Sequence, residues 1–253
     1  MKFELFKNDS RGHKNHGWLD TFHTFSFASY FNPKRINFGA LRVLNDDAVI
    51  GGEGFGTHPH DNMEIVSIPL SGDLEHKDSM GNGSVIKHGE VQVMSAGTGV
   101  THSEYNANDD RHVKFFQIWV FPNKENVKPR YDQKKFDFTA NRNKLVQLVS
   151  PYSGDGDSDG GGEKGGLWIH QDAWFNMGEF DEGKSTEYTL NKKDNGLFAM
   201  VVEGEFNVNG HLLSRRDAVG LWELGGEEKI KITANSNNAK ILLIEVPMYK
   251  VIL

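Results

Sequence analysis

Val113 to Phe121 reads VKFFQIWVF, and the reading of this stretch decides the fold. β-Branched and aromatic residues crowd it, as they do in a strand with covered faces. No helical period runs through it. Two further runs share this character, Leu197 to Val202 (LFAMVV) and Lys240 to Val246 (KILLIEV). Turn signals separate such runs: Ser71-Gly72-Asp73, Gly81-Asn82-Gly83-Ser84 and Asn209-Gly210. Asn-Gly supplies the positive φ angles that tight hairpins need. Many short strands joined by hairpins predict an all-β chain, a sandwich or a barrel. One short helical piece is expected, at Gln133 to Phe136.

Composition bounds the rest. The chain has 253 residues, with 28 basic and 35 acidic side chains for a formal net charge of −7. That length predicts one large or two small domains. With 37% hydrophobic residues and 17 Phe there is material for a packed core, which excludes global disorder. No apolar run is long enough to span a membrane. The acidic balance lacks the basic field of a nucleic-acid binder. Cysteine is absent, which excludes disulfides, thiolate metal sites and cysteine nucleophiles. The opening MKFELFKNDS has no signal-peptide pattern, so a cytoplasmic location is expected.

Ser153 to Gly166 reads SGDGDSDGGGEKGG and has nothing apolar to bury. It is expected to be a flexible insert. Asp155, Asp157, Asp159 and Gly160 match the first half of a calcium loop, but Gly166 stands where the bidentate Glu belongs, so the linker reading is preferred. The halves on either side echo each other weakly. Ser71-Gly72-Asp73 parallels Glu203-Gly204-Glu205, and Gly89-Glu90-Val91 parallels Arg216-Asp217-Ala218, as in a duplicated β-domain.

Nine of the 11 histidines precede residue 113. Two patterns stand out, Gly56-Thr57-His58-Pro59-His60-Asp61-Asn62-Met63-Glu64 and Gly97-Thr98-Gly99-Val100-Thr101-His102-Ser103-Glu104. In a strand, residues i and i+2 share a face, so His58 projects with His60 and His102 with Glu104. On neighbouring strands the two pairs would converge. Three imidazoles and a carboxylate suit a borderline divalent ion and leave positions open for a substrate if the ion is five- or six-coordinate. Zn prefers a closed tetrahedron, which favours a redox-capable ion. His76, His88 and His112 are isolated and expected to face solvent. His13, His16 and His23 sit in an aromatic stretch and are expected to pack or to hydrogen-bond.

Gly52, His58-Pro59-His60 and Glu64 resemble the first cupin motif. Gly89, Ser95-Ala96-Gly97-Thr98-Gly99 and His102-Ser103-Glu104 resemble the second. Further wording resembles the pirin family, and within it bacterial members described as quercetin 2,3-dioxygenases. It includes Gly72-Asp73-Leu74-Glu75-His76-Lys77-Asp78-Ser79, Gly17-Trp18-Leu19-Asp20, His23-Thr24-Phe25-Ser26-Phe27 and Phe38 to Asp47. The resemblance is dense to about residue 136 and looser beyond, and the 153–166 insert departs from the pattern.

The resemblance implies a bicupin, two jelly-roll-like β-barrel domains facing each other. Residues 1–136 would form a metal-binding N-terminal cupin and 137–253 a metal-free one. It implies His58, His60, His102 and Glu104 as ligands of one divalent transition metal, Fe(II) first, with Cu, Ni, Mn, Co or Zn as alternatives. Many cupins take the carboxylate from the first motif, which would be Glu64. The implied activity is cleavage of a flavonol by dioxygen with release of carbon monoxide. Glu104 or Glu64 would take the flavonol 3-hydroxyl proton, and Phe55 and Met63 would line the pocket. The expected partners are flavonol and dioxygen, neither nucleic acid nor membrane, and the expected state is a monomer. The alternative is a pirin-like regulatory or redox-sensing protein without turnover. An enzyme would need a cavity of a few hundred Å³ beside the metal.

Overall fold

The computed structural model describes residues 1–152, 165–225 and 228–248. Residues 153–164, with the acidic half-motif Asp155 to Gly160, lie outside the described residues, so the linker and calcium readings stay where the sequence leaves them. What is described is all-β, as expected, its strands joined by turns and short connections. A 3-10 turn spans Asn8–Ser10.

Each half builds a seven-stranded and a four-stranded sheet. In the N-terminal large sheet the order is Arg130–Lys135, Glu90–Ser95, Glu64–Ser71, Val113–Val120, Leu41–Val49, Leu19–His23 and Gly12–Asn15. Its small partner runs Gly54–His60, Val100–Asn106, Asp73–Asp78 and Gly83–Lys87. In the C-terminal large sheet the order is Lys2–Phe6, Ala218–Trp222, Asn195–Glu203, Ala239–Pro247, Trp174–Phe180, Val146–Pro151 and Leu167–Ile169. Its small partner runs Ser185–Tyr188, Ile230–Ala234, Phe206–Val208 and His211–Leu213. The first strand of the chain thus pairs with Ala218–Trp222 of the other half.

The sequence echoes fall at equivalent corners of the two barrels. Gly72 (φ 73°) and Gly204 (φ 75°) turn the chain from large sheet to small. Gly89 (φ 86°) turns it back, and its counterpart is Arg216, at φ 66°. Asn209 (φ 49°) and Gly210 (φ 90°) make the expected hairpin.

The apolar runs are continuous because both faces are covered. On Asn195–Glu203, Phe198, Met200 and Val202 pack against the N-terminal half, while Leu197, Ala199 and Val201 fill their own barrel. On Val113–Val120, Phe116, Ile118 and Val120 face the seam between the large sheets. Phe115, Gln117 and Trp119 face the other way.

The two barrel interiors differ. The C-terminal one is filled by a single apolar cluster that includes Phe180, Phe206, Ile230, Ile232 and Leu243. In the N-terminal barrel the apolar filling splits in two. Leu19, Val49, Leu74, Ile86, Val113 and Phe115 form one cluster; Ile65, Met94, Ala96 and Val100 form the other. Alternation places Ser67, His76, Gln92, His102, Glu104 and Gln117 on the same inner face. All are buried.

The helix expected at Gln133 to Phe136 is not formed. Residues Arg130–Lys135 instead pair antiparallel with Glu90–Ser95, from Arg130↔Ser95 to Lys135↔Glu90. Four residues cannot repay helix nucleation, whereas an open sheet edge offers ready backbone partners.

Candidate metal centre

The small N-terminal sheet carries the site. Gly54–His60 pairs with Val100–Asn106, setting His102 opposite His58 and Thr101 opposite Pro59. A register shift between His102 and Glu104 puts Phe55 opposite Glu104. Three imidazoles converge. Ring centroids lie 4.4 Å apart for His58 and His102, 4.8 Å for His60 and His102, and 4.9 Å for His58 and His60. One nitrogen of each lies within 4.8 Å of the others.

Burial keeps two of them, His60 and His102, neutral. Burial, then neighbouring His58 and His60, pushes His102 down to about 2. Burial, then His58, pushes His60 down to about 4. His58 Nδ1 lies 2.8 Å from the Gly56 carbonyl, which only accepts, so Nδ1 holds the hydrogen and Nε2 keeps its lone pair. His102 Nε2 is fully buried and has no hydrogen-bond partner. A buried polar atom left without a partner is costly unless something else occupies its lone pair. Three clustered imidazoles, one with an orphaned nitrogen, fit a borderline divalent cation.

Glu104 stands beside this triad, next to His102. Its carboxylate lies within 4.8 Å of nitrogens of His102 and His76. Gln117 Nε2 donates to Oε2 at 2.5 Å, and Ser67 Oγ stands 3.2 Å from Oε1. Burial pushes Glu104 up to about 7. Asp47, bonded by Thr21 Oγ1, is likewise raised to about 7 by burial.

Glu64 points elsewhere. On Glu64–Ser71, Val66 and Ile68 face the seam between barrels and Glu64 shares their face, opposite to Ile65 and Ser67. It accepts from Ser95 Oγ at 2.7 Å and from the His170 backbone N–H. Burial raises it to about 7. Arg130 and His170 belong to a groove of about 530 Å³ with Lys124, Asn126, Lys128 and Trp168. The three histidines are not among its lining residues. Asn126 N donates to Asn62 Oδ1 at 2.7 Å, two residues past His60.

His76 overturns the expectation of a surface histidine. It is completely buried, against His102 on one side and Tyr131 on the other. Alternation on Asp73–Asp78 turns it inward with Leu74, while the charged Glu75 and Lys77 beside it face outward. His88 and His112 are exposed as expected. His23 is buried and hydrogen-bonds Asn45 at 2.8 Å, and His13 stacks on Phe22 and bonds Asp20. Phe55 packs on Trp18 and Met63 on the Ile65 cluster, so the two belong to separate apolar clusters. The sequence reading missed His76, Asp78, Gln117 and Trp119, whose ring meets His60 at 4.9 Å. For His76 and Asp78 the signal was present: they too stand at i and i+2.

The pirin family model matches residues 6–120, and that of the quercetinase C-terminal cupin domain matches residues 158–246. The quercetin 2,3-dioxygenase of Escherichia coli (strain K12) is 40% identical over 96% of this chain and 98% of its own. The chain belongs to the pirin family. A pirin-like protein of Caulobacter vibrioides is 38% identical over 94% of this chain and 96% of that one. Among solved structures, the bacterial pirin YhhW of Escherichia coli in complex with nickel(II) superposes with a TM-score of 0.87 at 37% identity. The match covers 98% of this chain and all of that one. The two barrels described above are therefore the bicupin of a pirin, and the histidine triad sits in the barrel that the pirin model matches.

Proposed function

We propose that this pirin is a metal-dependent dioxygenase that opens the central ring of a flavonol such as quercetin. The observation that carries the reading is the convergence of three imidazoles, one of which, His102, leaves its buried Nε2 unpartnered. In this proposal His58, His60 and His102 hold a divalent transition metal together with Glu104. Fe(II) comes first, with Ni(II), the ion of the Escherichia coli pirin complex, as the alternative. When bound, such an ion supplies Lewis acidity, which lowers the pKa of the flavonol 3-hydroxyl.

The chain's own residues do the rest. The Gly56 carbonyl fixes the His58 tautomer. Gln117 and Ser67 hold the Glu104 carboxyl in place. Glu104 accepts the hydroxyl proton as general base. Glu64, on the other face of its strand, belongs in this proposal to the seam between the barrels. Dioxygen adds across the activated ring, and the ring opens with loss of carbon monoxide.

The test is carbon monoxide release from quercetin under air, with metal content quantified and His58→Ala as control. Metal-dependent release that vanishes in the variant supports the dioxygenase. No release from fully loaded protein points to the regulatory alternative.

A further inference from the structure

Nδ1 of His76 and Nδ1 of His102 face each other 3.5 Å apart, at the outer limit of hydrogen bonding. Facing imidazole nitrogens are compatible only when one holds a hydrogen and the other a lone pair. The second nitrogen of His76, Nε2, lies 3.0 Å from Asp78 Oδ2. Asp78 is itself fixed. Its Oδ1 accepts from the backbone N–H groups of Met80 at 2.9 Å and Asn82 at 3.0 Å, and its Oδ2 accepts from Asn82 Nδ2 at 2.8 Å. Both side chains are completely buried. Tyr131 stacks on the His76 ring with centroids 4.6 Å apart, and its hydroxyl is tied to Ser84 and Gln133.

The hydrogens follow in order. A carboxylate only accepts, so His76 carries its hydrogen on Nε2 and its lone pair on Nδ1. His102 must then present Nδ1–H to His76. That leaves the lone pair of His102 on Nε2, the orphaned nitrogen of the triad. We propose that Asp78 and His76 are positioning residues that set the tautomer of His102, so that its ligand nitrogen faces His58 and His60. The proposal rests on the metal reading above. It is distinct from a rival arrangement in which His76, His102 and Glu104 themselves form the ligand group.

Asp78→Asn tests the relay at nearly unchanged shape, with only the Asn82 amide asked to turn over. Two backbone N–H groups claim the Oδ1 position, so the amide oxygen stays there, the NH₂ turns to His76 Nε2, and the Asn82 amide turns over to present its oxygen to the other NH₂ hydrogen. That reverses the hydrogens: His76 becomes the Nδ1–H form and His102 the Nε2–H form, with no lone pair for a metal. The same wrong-tautomer logic is known for serine-protease triads. The first readout needs no metal. ¹⁵N-histidine NMR of the metal-free protein, with His102→Gln to assign the signal, should show His102 as Nδ1–H in the parent and Nε2–H in Asp78→Asn. The second is Ni(II) affinity by chelator competition, which should fall on the order of 10–100-fold.

His76→Phe keeps the ring against Tyr131 and removes both nitrogens. Asp78→Asn should cost no further affinity in the His76→Phe background, because the relay is already cut. Additive losses would mean that Asp78 serves only its turn, and would overturn the proposal. So would an Nε2–H His102 in the parent, or an unchanged tautomer and Ni(II) affinity in Asp78→Asn. Complete loss of Ni(II) in His76→Phe with an Nε2–H His102 in the parent would establish the rival ligand group. A parent that binds no Ni(II) yet shows the expected tautomers would sink the metal reading and leave the relay standing.

Discussion

Replacing Glu104 by Gln removes one buried charge and nearly preserves shape, and it should stabilise the metal-free protein. The carboxyl is 1% exposed and is pushed up from 4.5 to about 7 by burial. In the unfolded chain it ionises near its ordinary value. Folding stability is therefore full below about pH 4.5, falls as pH rises toward 7, and levels off above it. Moving from 4.5 to about 7, at roughly 1.36 kcal/mol for each pH unit, costs about 3 kcal/mol at pH 8. The amide avoids that cost and still finds partners. Its oxygen accepts from Gln117 Nε2, and its NH₂ donates to Ser67 Oγ, whose hydrogen goes to Gln117 Oε1 at 2.9 Å. The neighbouring Asp47, which the Glu104 charge helps to raise, is relieved as well.

The assay is thermal unfolding of chelator-treated parent and Glu104→Gln at pH 5 and pH 8. For a chain of this size, about 3 kcal/mol is roughly 6–12 °C in Tm. The variant should melt higher by that much at pH 8 and by little at pH 5, while losing metal affinity. A variant no more stable than the parent at pH 8, or equally stabilised at both pH values, would refute the reasoning. The first outcome would mean that the carboxylate is better solvated than its burial implies. The second would mean that packing, not charge, separates the two proteins.

His58→Ala and His102→Ala should both lose metal by elemental analysis while keeping the β signal in circular dichroism; full metal in both would remove the triad as a site. Glu64→Gln should weaken Ni(II) binding less than Glu104→Gln, and the reverse order would return the first-motif carboxylate as the ligand. Phe6→Ala should cost about 3–5 kcal/mol in urea unfolding, because its buried ring packs on Phe25 at 5.8 Å and Phe198 at 5.1 Å. A loss below about 1 kcal/mol would mean that the first strand is not part of the cooperative unit.

What the sequence showed and hid follows from the range of each interaction. VKFFQIWVF declares a strand through its own residues. That both its faces are covered depends on a second sheet formed largely by later residues, from Val146 to Pro247. The histidine pairs were legible because the period of a strand is two. The register shift between His102 and Glu104 has no local signature, and past it Glu104 lies opposite His76 on the neighbouring strand. His76 read as a surface residue because Glu75 and Lys77 flank it, yet in a strand the flanking residues report the opposite face. Arg130–Lys135 shows no apolar alternation; its conformation is set by the strand Glu90–Ser95 that it joins.

The contrast between the interiors shows how one architecture can tolerate a polar site. Ile230–Ala234 occupies in the C-terminal small sheet the place that Val100–Asn106 holds in the N-terminal one. Its inward residues are Ile230, Ile232 and Ala234, all fully buried, where the first barrel presents Val100, His102 and Glu104. Polar groups buried without full partners are costly, and the first barrel carries His102 Nε2, both amide atoms of Gln92 and raised carboxyls at Asp47 and Glu104. The apolar second barrel and the seam of Phe116, Ile118, Phe175, Phe198 and Ile244 supply burial that the first interior forgoes. The strand Lys2–Phe6 ties the N-terminus to that support. On this reading the C-terminal barrel is what lets the histidine triad persist in a protein of marginal stability, and weakening the seam at Phe6 should lower the stability of both barrels together.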